Sequence, residues 1–474
     1  MNSELRYCQD YFAYSRRITR ELKIGPLGIG NRNPIRLQSI ILCDPLDTEE
    51  CVNQAINLTD EGCEIVRIVV RSKKEAANLA NITQEIKKSG YITPLVADIR
   101  GDVEVALEAI QWVPKIRVNP CNFRAKEEFV QVVKLCKSLG CAMRIGSNRG
   151  ALCACDPSAS TQSVGDDCPE AMVQRALNLA EVAREFDYHA FCFSMKASEP
   201  KFMVEAYRLL VARLNQNGPD WNYPVHLGVT KARDAEDGRI KSSIGIGSLL
   251  ADGIGDTIRV TLCNNTEHEI PVALAIIDDI QNSYLYSAGT GAQRGQLMYD
   301  PFTYTRRPSQ EIDVNGCKVG SDNPIRIFTN RIKWNKLSRK MDQLGELTPE
   351  AVIEDSRVIA VDPYDTDTIL MINAMEQPQL ITVVDGIRGA AVIHAFRLLA
   401  NKLSARHPIL LKDTLRPLNK RPRSPLTAQV KACRNIGSLL CDGIGDAILI
   451  QGESNPEKSL QLAFHILQAT GHRD

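Results

Sequence analysis

Five cationic side chains stand inside or at the end of short apolar runs: Arg67 in IVRIVV, Arg117 in KIRVNP, Arg144 in AMRIG, Lys196 closing AFCFSM, and Arg259 in TIRVTL. Runs of this kind read as strands buried on both faces, where a charge needs a partner. Polar residues able to donate or accept hydrogen bonds accompany them: Gln38, Asp98, Asn119, Asn148, His226 and Thr261. Asp98 is the one acid visible among the strand ends. Five cations gathered around one carboxylate repel each other unless an anion enters. Arginine forks match phosphate oxygens, so a diphosphate is the natural ligand. The competing reading pairs each arginine with an acid on an outer helix. His226 is either an acid–base group or a hydrogen-bonded core histidine.

Eight such runs must position these residues: PIRLQS (34–39), IVRIVV (65–70), PLVADI (94–99), KIRVNP (115–120), AMRIG (142–146), AFCFSM (190–195), PVHLGV (224–229) and TIRVTL (257–262). Between them lie stretches with apolar residues at three- and four-residue spacing, such as TEECVNQAINLTDEG and EAMVQRALNLAEVAREF. Alternating strands and helices predict a parallel sheet, and eight units predict a closed (β/α)8 TIM barrel whose strand ends converge on one mouth. The glycine-rich KSSIGIGSLLADGIGD precedes the last strand, where barrels bind phosphate at helix N-termini; a structural turn explains its glycines equally well.

The chain also contains a shortened copy of itself. NPIR at 33–36 returns at 323–326, IGSLLADGIGD at 246–256 returns as IGSLLCDGIGD at 436–446, and AYRLLVARL (206–214) matches AFRLLANKL (395–403). The first offset is 290 residues and the second 190, so the copy lacks two or three strand–helix units. The expected organisation is a barrel over 1–279, a linker over 280–310 rich in Gly, Tyr and Gln, and a degenerate, incomplete barrel over 311–474 whose open edges pack on a neighbour. In the copy Asp385 stands for Lys196, Leu410 for His226 and Leu449 for Arg259, which predicts a structural role without an anion site.

Composition narrows the function classes. Lys plus Arg and Asp plus Glu number 57 each in 474 residues, so no global field draws the chain to nucleic acid or an anionic membrane. No apolar run approaches the roughly 20 residues of a membrane span, and the N-terminus does not read as a signal peptide, which predicts a cytoplasmic protein. The 15 cysteines contain no CxxC spacing, so no metal site is expected; the closest pair, Cys153 and Cys155 with Cys168 nearby, reads as fortuitous.

Taken in order, IRLQS, VRIVV, PLVADI, KIRVNP, MRIGSN, FSMKAS, HLGVT and DGRIKSSIGIGSLLADGIGDTIRV resemble the barrel of 4-hydroxy-3-methylbut-2-enyl-diphosphate synthase over residues 30–275. The internal copy resembles the second domain inserted in the long form of that family. The resemblance implies reductive opening of methylerythritol 2,4-cyclodiphosphate in non-mevalonate isoprenoid synthesis. It also implies a 4Fe-4S cluster on a separate domain, ferredoxin or flavodoxin as electron donor, and a homodimer or a separate cluster-bearing subunit. Arg67, Arg117, Arg144, Lys196 and Arg259 would then hold the diphosphate, with Asp98, Asn119, Asn148 and Thr261 as polar partners. The sequence departs from the family at Lys231, where Glu is usual, at Arg233 for Gly, at Arg149 for His, and at Ile40, Ile41 and Leu42 in place of a Thr-rich strand end. The family's CPxCGR motif for the cluster would lie beyond Asp474, which leaves the catalytic residues unassigned. These departures motivate the alternative of a non-catalytic, diphosphate-binding relative.

Overall fold

The computed structural model describes residues 5–473 apart from 150–167, 231, 263–267, 285–295, 341–343, 346, 387–391 and 416–423. Lys231, Cys153 and Cys155 therefore lie outside the described residues. A hairpin of β1 (Leu22–Ile24) and β2 (Leu27–Ile29) opens the fold, turning at Gly25 with φ of 56°. Eight parallel strands follow: β3 (Arg36–Ile40), β4 (Ile65–Val70), β5 (Leu95–Ile99), β6 (Lys115–Val118), β7 (Ala142–Asn148), β8 (Phe191–Lys196), β9 (His226–Leu227) and β10 (Thr257–Ile258). Each coincides with one of the eight expected runs. β3 to β8 pair in chain order, β10 lies between β3 and β9, and a parallel bridge from Phe193 to Val225 joins β8 to β9 and closes the barrel.

The crossovers are α1 (Thr48–Asp60), α2 (Lys73–Lys88), α3 (Val103–Ala109), α4 (Lys126–Leu139), α5 (Pro169–Glu185), α6 (Pro200–Gln216), α7 (Ala235–Ala251) and α8 (Glu269–Tyr284). Asp47, Ser72, Asp102 and Asp234 cap four of them by accepting a hydrogen bond from the amide three residues on, which is why these turns stop where they do. Leu22, Ile24 and Ile29 of the hairpin pack on Ile65, Val96, Ala142 and Cys192, sealing the amino ends of the strands with hydrocarbon. The carboxyl ends form the open mouth.

The second half repeats this plan with fewer units. It contains a hairpin of β11 (Ile312–Val314) and β12 (Cys317–Val319), then β13 (Arg326–Thr329), β14 (Ala351–Val352), β15 (Val358–Val361), β16 (Leu380–Val383), β17 (Leu410–Lys412) and β18 (Ala447–Leu449). The order β14-β13-β18-β17 continues through a bridge from Ile409 to Ile381 into β16 and β15. Among the described residues no pairing joins β14 to β15. The repeat extends further back than the recurrence of NPIR suggests. Arg17 N donates to Gly253 O and Arg307 N to Gly443 O, while Arg36 pairs with Glu64 as Arg326 pairs with Glu350. Matching bridges also correct one correspondence: Phe193 answers to Ile381, so Lys196 answers to Val384, and Asp385 falls one position further on.

The interiors differ sharply. Phe328, Leu410, Ala447 and Leu449 form an apolar layer where the first barrel has Gln38, His226, Thr257 and Arg259. The two halves meet through α6 and α7 on one side and α11 (Val392–Lys402) and α12 (Pro425–Cys441) on the other, with α9 (Arg331–Leu337), α10 (Thr366–Asn373) and α13 (Pro456–Ala469) completing the second set of helices. A Cβ on Gly247 would lie 2.6 Å from Arg434 and one on Gly437 would lie 2.5 Å from Ile244, so both glycines exist to let α7 and α12 touch. Ser248 Oγ and Ser438 Oγ are 2.6 Å apart at the same crossing. The glycines of the KSSIGIGS run are thus helix-packing positions, and the phosphate-binding reading of that run is not what the structure shows.

Candidate anion-binding site

The β4 to β8 strands alternate their side chains, so every second residue points into the barrel. Arg67, Asp98, Arg117, Asn148, Lys196 and Arg259 line a cavity of about 490 Å³ at the carboxyl ends, together with Arg100, Arg149, Ser198, Glu199 and Thr230. Asp98 is the hub. Its Oδ2 lies 3.1 Å from Arg67 Nη2 and 3.4 Å from Arg100 Nε, and its Oδ1 accepts from Arg117 Nη1 at 3.2 Å. Arg117 Nη2 also donates to Asn148 Oδ1 at 3.0 Å. Burial opposes ionisation of Asp98, but Arg67, Arg117, Arg100 and Arg144 together hold its carboxyl well below the usual range.

The cations bear the opposite strain. Burial lowers Lys196 well below an ordinary lysine, and Arg144, Arg67, Arg259 and Arg117 lower it further. Arg67 is likewise depressed, chiefly by burial, although Asp98 pulls it back. Arg144 is fully buried, and burial with the neighbouring Arg117 brings it down to about 10. A dianion entering this cavity would offset the mutual repulsion of these cations.

Sequence comparison agrees with the geometry. Residues 19–274 match the model of the GcpE TIM-barrel domain. The chain belongs to the GcpE family. Its relatives include the 4-hydroxy-3-methylbut-2-en-1-yl diphosphate synthase (flavodoxin) of Akkermansia muciniphila, 44% identical over 98% of this chain and 82% of the relative. The enzyme of the same name from Protochlamydia amoebophila is 44% identical over 98% of this chain and 83% of its own. That of Leptospira interrogans is 40% identical over 74% of this chain; here the match covers 56% of the relative.

Within this GcpE barrel not all the expected residues reach the cavity. Arg144 lies beneath it, giving Nη1 to Gln38 Oε1 at 3.2 Å. Asn119 caps a short 3-10 turn, its Oδ1 accepting from Cys121 N, and Thr261 donates to Val229 O. The Asn119 side-chain oxygen and the Thr261 hydroxyl are thus engaged by the backbone. His226 is buried, with Nδ1 2.7 Å from Thr257 Oγ1. Burial and the cations Arg144, Lys196, Lys115 and Arg67 favour its neutral form, and it does not line the cavity. Arg233 leans on Asp237 at the start of α7, its amide donating to Asp237 Oδ2 at 2.9 Å.

Sequence reasoning missed three features of the site. Arg100 follows the strand apex and adds another cation. Arg149 pairs with Glu199 at 2.6 Å and stacks on Phe202 at the rim. Glu269, at the start of α8, answers Arg259 at 3.2 Å, so Asp98 is not the sole acid facing the cations. The outer-helix pairing considered for each arginine therefore holds for Arg259.

Gly146 on β7 makes the arrangement possible. A Cβ there would stand 2.8 Å from Arg117 Nε and 3.0 Å from Ser194 Oγ. Gly146→Ala is therefore expected to displace the Arg117 guanidinium and weaken diphosphate binding about tenfold, as loss of one charge-assisted hydrogen bond would. Binding within twofold of the parent would contradict it.

Proposed function

We propose that the chain is a 4-hydroxy-3-methylbut-2-en-1-yl diphosphate synthase whose first barrel binds methylerythritol 2,4-cyclodiphosphate for two-electron reductive ring opening. The observation that carries this reading is the cluster of buried Arg67, Arg117 and Lys196 with partly buried Arg259 around a cavity of diphosphate size, in a chain of the GcpE family. The same cations would bind the diphosphate, orient the ring against the mouth, and stabilise the oxygen that leaves carbon as the ring opens. Asp98 keeps Arg67 and Arg117 in register for that task. Arg144, Asn119 and Thr261 support the site from below and beside it rather than from the cavity wall.

The electrons are assigned to flavodoxin or ferredoxin, the donors that relatives' names print. The 4Fe-4S cluster implied by the resemblance does not fit here: among the described residues no three His, Cys, Asp or Glu side chains gather as metal ligands. No step of this mechanism runs through it, and residues that would hold it are not among those described. Among the described residues no helix is long and apolar enough to cross a membrane. A cytoplasmic location suits the proposed chemistry. The division into a substrate barrel at 1–279 and a supporting unit at 311–474, with 280–310 between them, accommodates the apolar interior of the second half; contacts to that unit begin already at Met298, whose amide donates to Asn401 Oδ1.

The depressed Lys196 gives a direct test. In the free barrel, burial and like charges favour its neutral form, and an entering dianion favours the charged one. Binding should therefore take up a proton once the pH exceeds the depressed value of the free lysine, and affinity should fall as the pH rises further. Calorimetry in buffers of different ionisation enthalpy measures that uptake. Equal proton uptake by Lys196→Met would contradict the assignment.

A further inference from the structure

Glu269 lines no part of the cavity, yet it is one of the most constrained acids in the first barrel. It is buried, 3% exposed, at the first position of α8. Its Oε1 accepts from Arg259 Nη2 at 3.2 Å and from Leu262 N at 3.2 Å, and its Oε2 accepts from Ser39 Oγ at 3.0 Å. Ser39 is on β3 and Leu262 lies past β10, so the carboxylate ties two neighbouring barrel strands to a helix and to a cavity cation that Asp98 does not pair.

Charge explains why such a clamp is needed. Arg259 shares the cavity with Arg67, Arg117 and Lys196, and in the absence of anion the mutual repulsion favours swinging a flexible guanidinium out toward water. A buried ion pair fixed by further hydrogen bonds opposes that swing, because its acid cannot follow. The second half supports the same conclusion by contrast. There Leu449 stands for Arg259, and Ser459 on α13 occupies the position that matches Glu269, donating to Ile450 O. Where the arginine is absent, so is the acid.

We infer that Glu269 is a positioning residue for Arg259, holding that guanidinium against the diphosphate and acting on binding through it alone. The inference rests on the proposed reading of the cavity as a diphosphate site. The test is a double-mutant cycle on the full chain with methylerythritol 2,4-cyclodiphosphate and with inorganic pyrophosphate, read by calorimetry. Glu269→Gln and Arg259→Ala should each weaken binding about tenfold, while Glu269→Gln added to Arg259→Ala should change nothing more. Glu269→Asp, which keeps the charge, should recover part of the loss. A purely structural acid would lower affinity equally in both backgrounds, and that additivity would overturn the inference. So would unchanged affinity of Glu269→Gln beside a weakened Arg259→Ala, a result that leaves the diphosphate reading intact. A parent chain that binds neither probe overturns both. Should Glu269→Gln fail to fold, Ser39→Ala removes one of the clamp's donors and runs the same cycle with the same expected coupling.

Discussion

Replacing Arg397 by Met is expected to destabilise the chain by about 3–5 kcal/mol, the range for stranding buried charges by removing one partner. Arg397 Nε lies 2.8 Å from Asp442 and its Nη1 2.6 Å from Asp252, while Arg208 makes the reciprocal bonds at 2.9 Å to Asp252 and 2.6 Å to Asp442. All four side chains are buried at the junction of the two repeats. Two guanidiniums and two carboxylates neutralise one another; with one arginine gone, two acids share a single cation without water. Burial pushes Asp442 up, but Arg208 and Arg397 prevail and hold it below an ordinary carboxylate. Its contribution is thus present at neutral pH and is lost as the pH falls through the depressed value. Because the four residues form two equivalent halves, Arg208→Met should cost the same within about 1 kcal/mol. Urea unfolding measures both. A loss under 1 kcal/mol for either would show that the junction tolerates an unpaired acid and that the quartet does not hold the halves together.

The second large effect concerns the ligand. Arg117→Ala is expected to weaken binding of the cyclic diphosphate by about 1–3 kcal/mol, as removal of a hydrogen bond to a charged group does. Arg117 is the most engaged cation of the cavity, bonded to Asp98 and Asn148 and seated in the space that Gly146 leaves. Its loss removes a phosphate donor and also takes from Asp98 Oδ1 its cation, while Oδ2 keeps Arg67 and Arg100. The matched control is Asp385, which binds Lys412 at 2.7 Å in the second half, far in sequence from any cavity residue. Replacing it should leave affinity unchanged, and a large effect there would contradict a supporting role for the repeat.

The barrel was legible because its signal is redundant. Eight apolar runs separated by helical stretches specify eight strands, and a cation inside such a run has few explanations other than a polar barrel interior. Arg67, Arg117, Lys196 and Arg259 follow from that logic. Asn119 and Thr261 obey the same positional rule but are consumed by backbone groups, a distinction that depends on local turn geometry rather than on residue type. Glu269 was invisible for the opposite reason: an acid in the first turn of a helix ordinarily reads as a solvated residue complementing the helix dipole. Its burial arises only when β3, β10 and α8 come together. The quartet was half visible. The recurrence of AYRLL as AFRLL and of ADGIGD as CDGIGD marks Arg208, Arg397, Asp252 and Asp442 as equivalent, but only the meeting of α7 with α12 makes them partners. The same meeting explains glycines that suggested a phosphate loop. A one-residue shift between the copies placed Asp385 opposite Lys196 in the sequence, whereas strand register gives Val384.

The central claim is that the mouth of the first barrel binds a cyclic diphosphate. Calorimetric titration of the purified chain with methylerythritol 2,4-cyclodiphosphate, repeated on Arg117→Ala, tests it most directly. The account predicts saturable binding at one site per chain that Arg117→Ala weakens by at least about fivefold. Absence of binding, or binding that Arg117→Ala leaves unchanged, would contradict it.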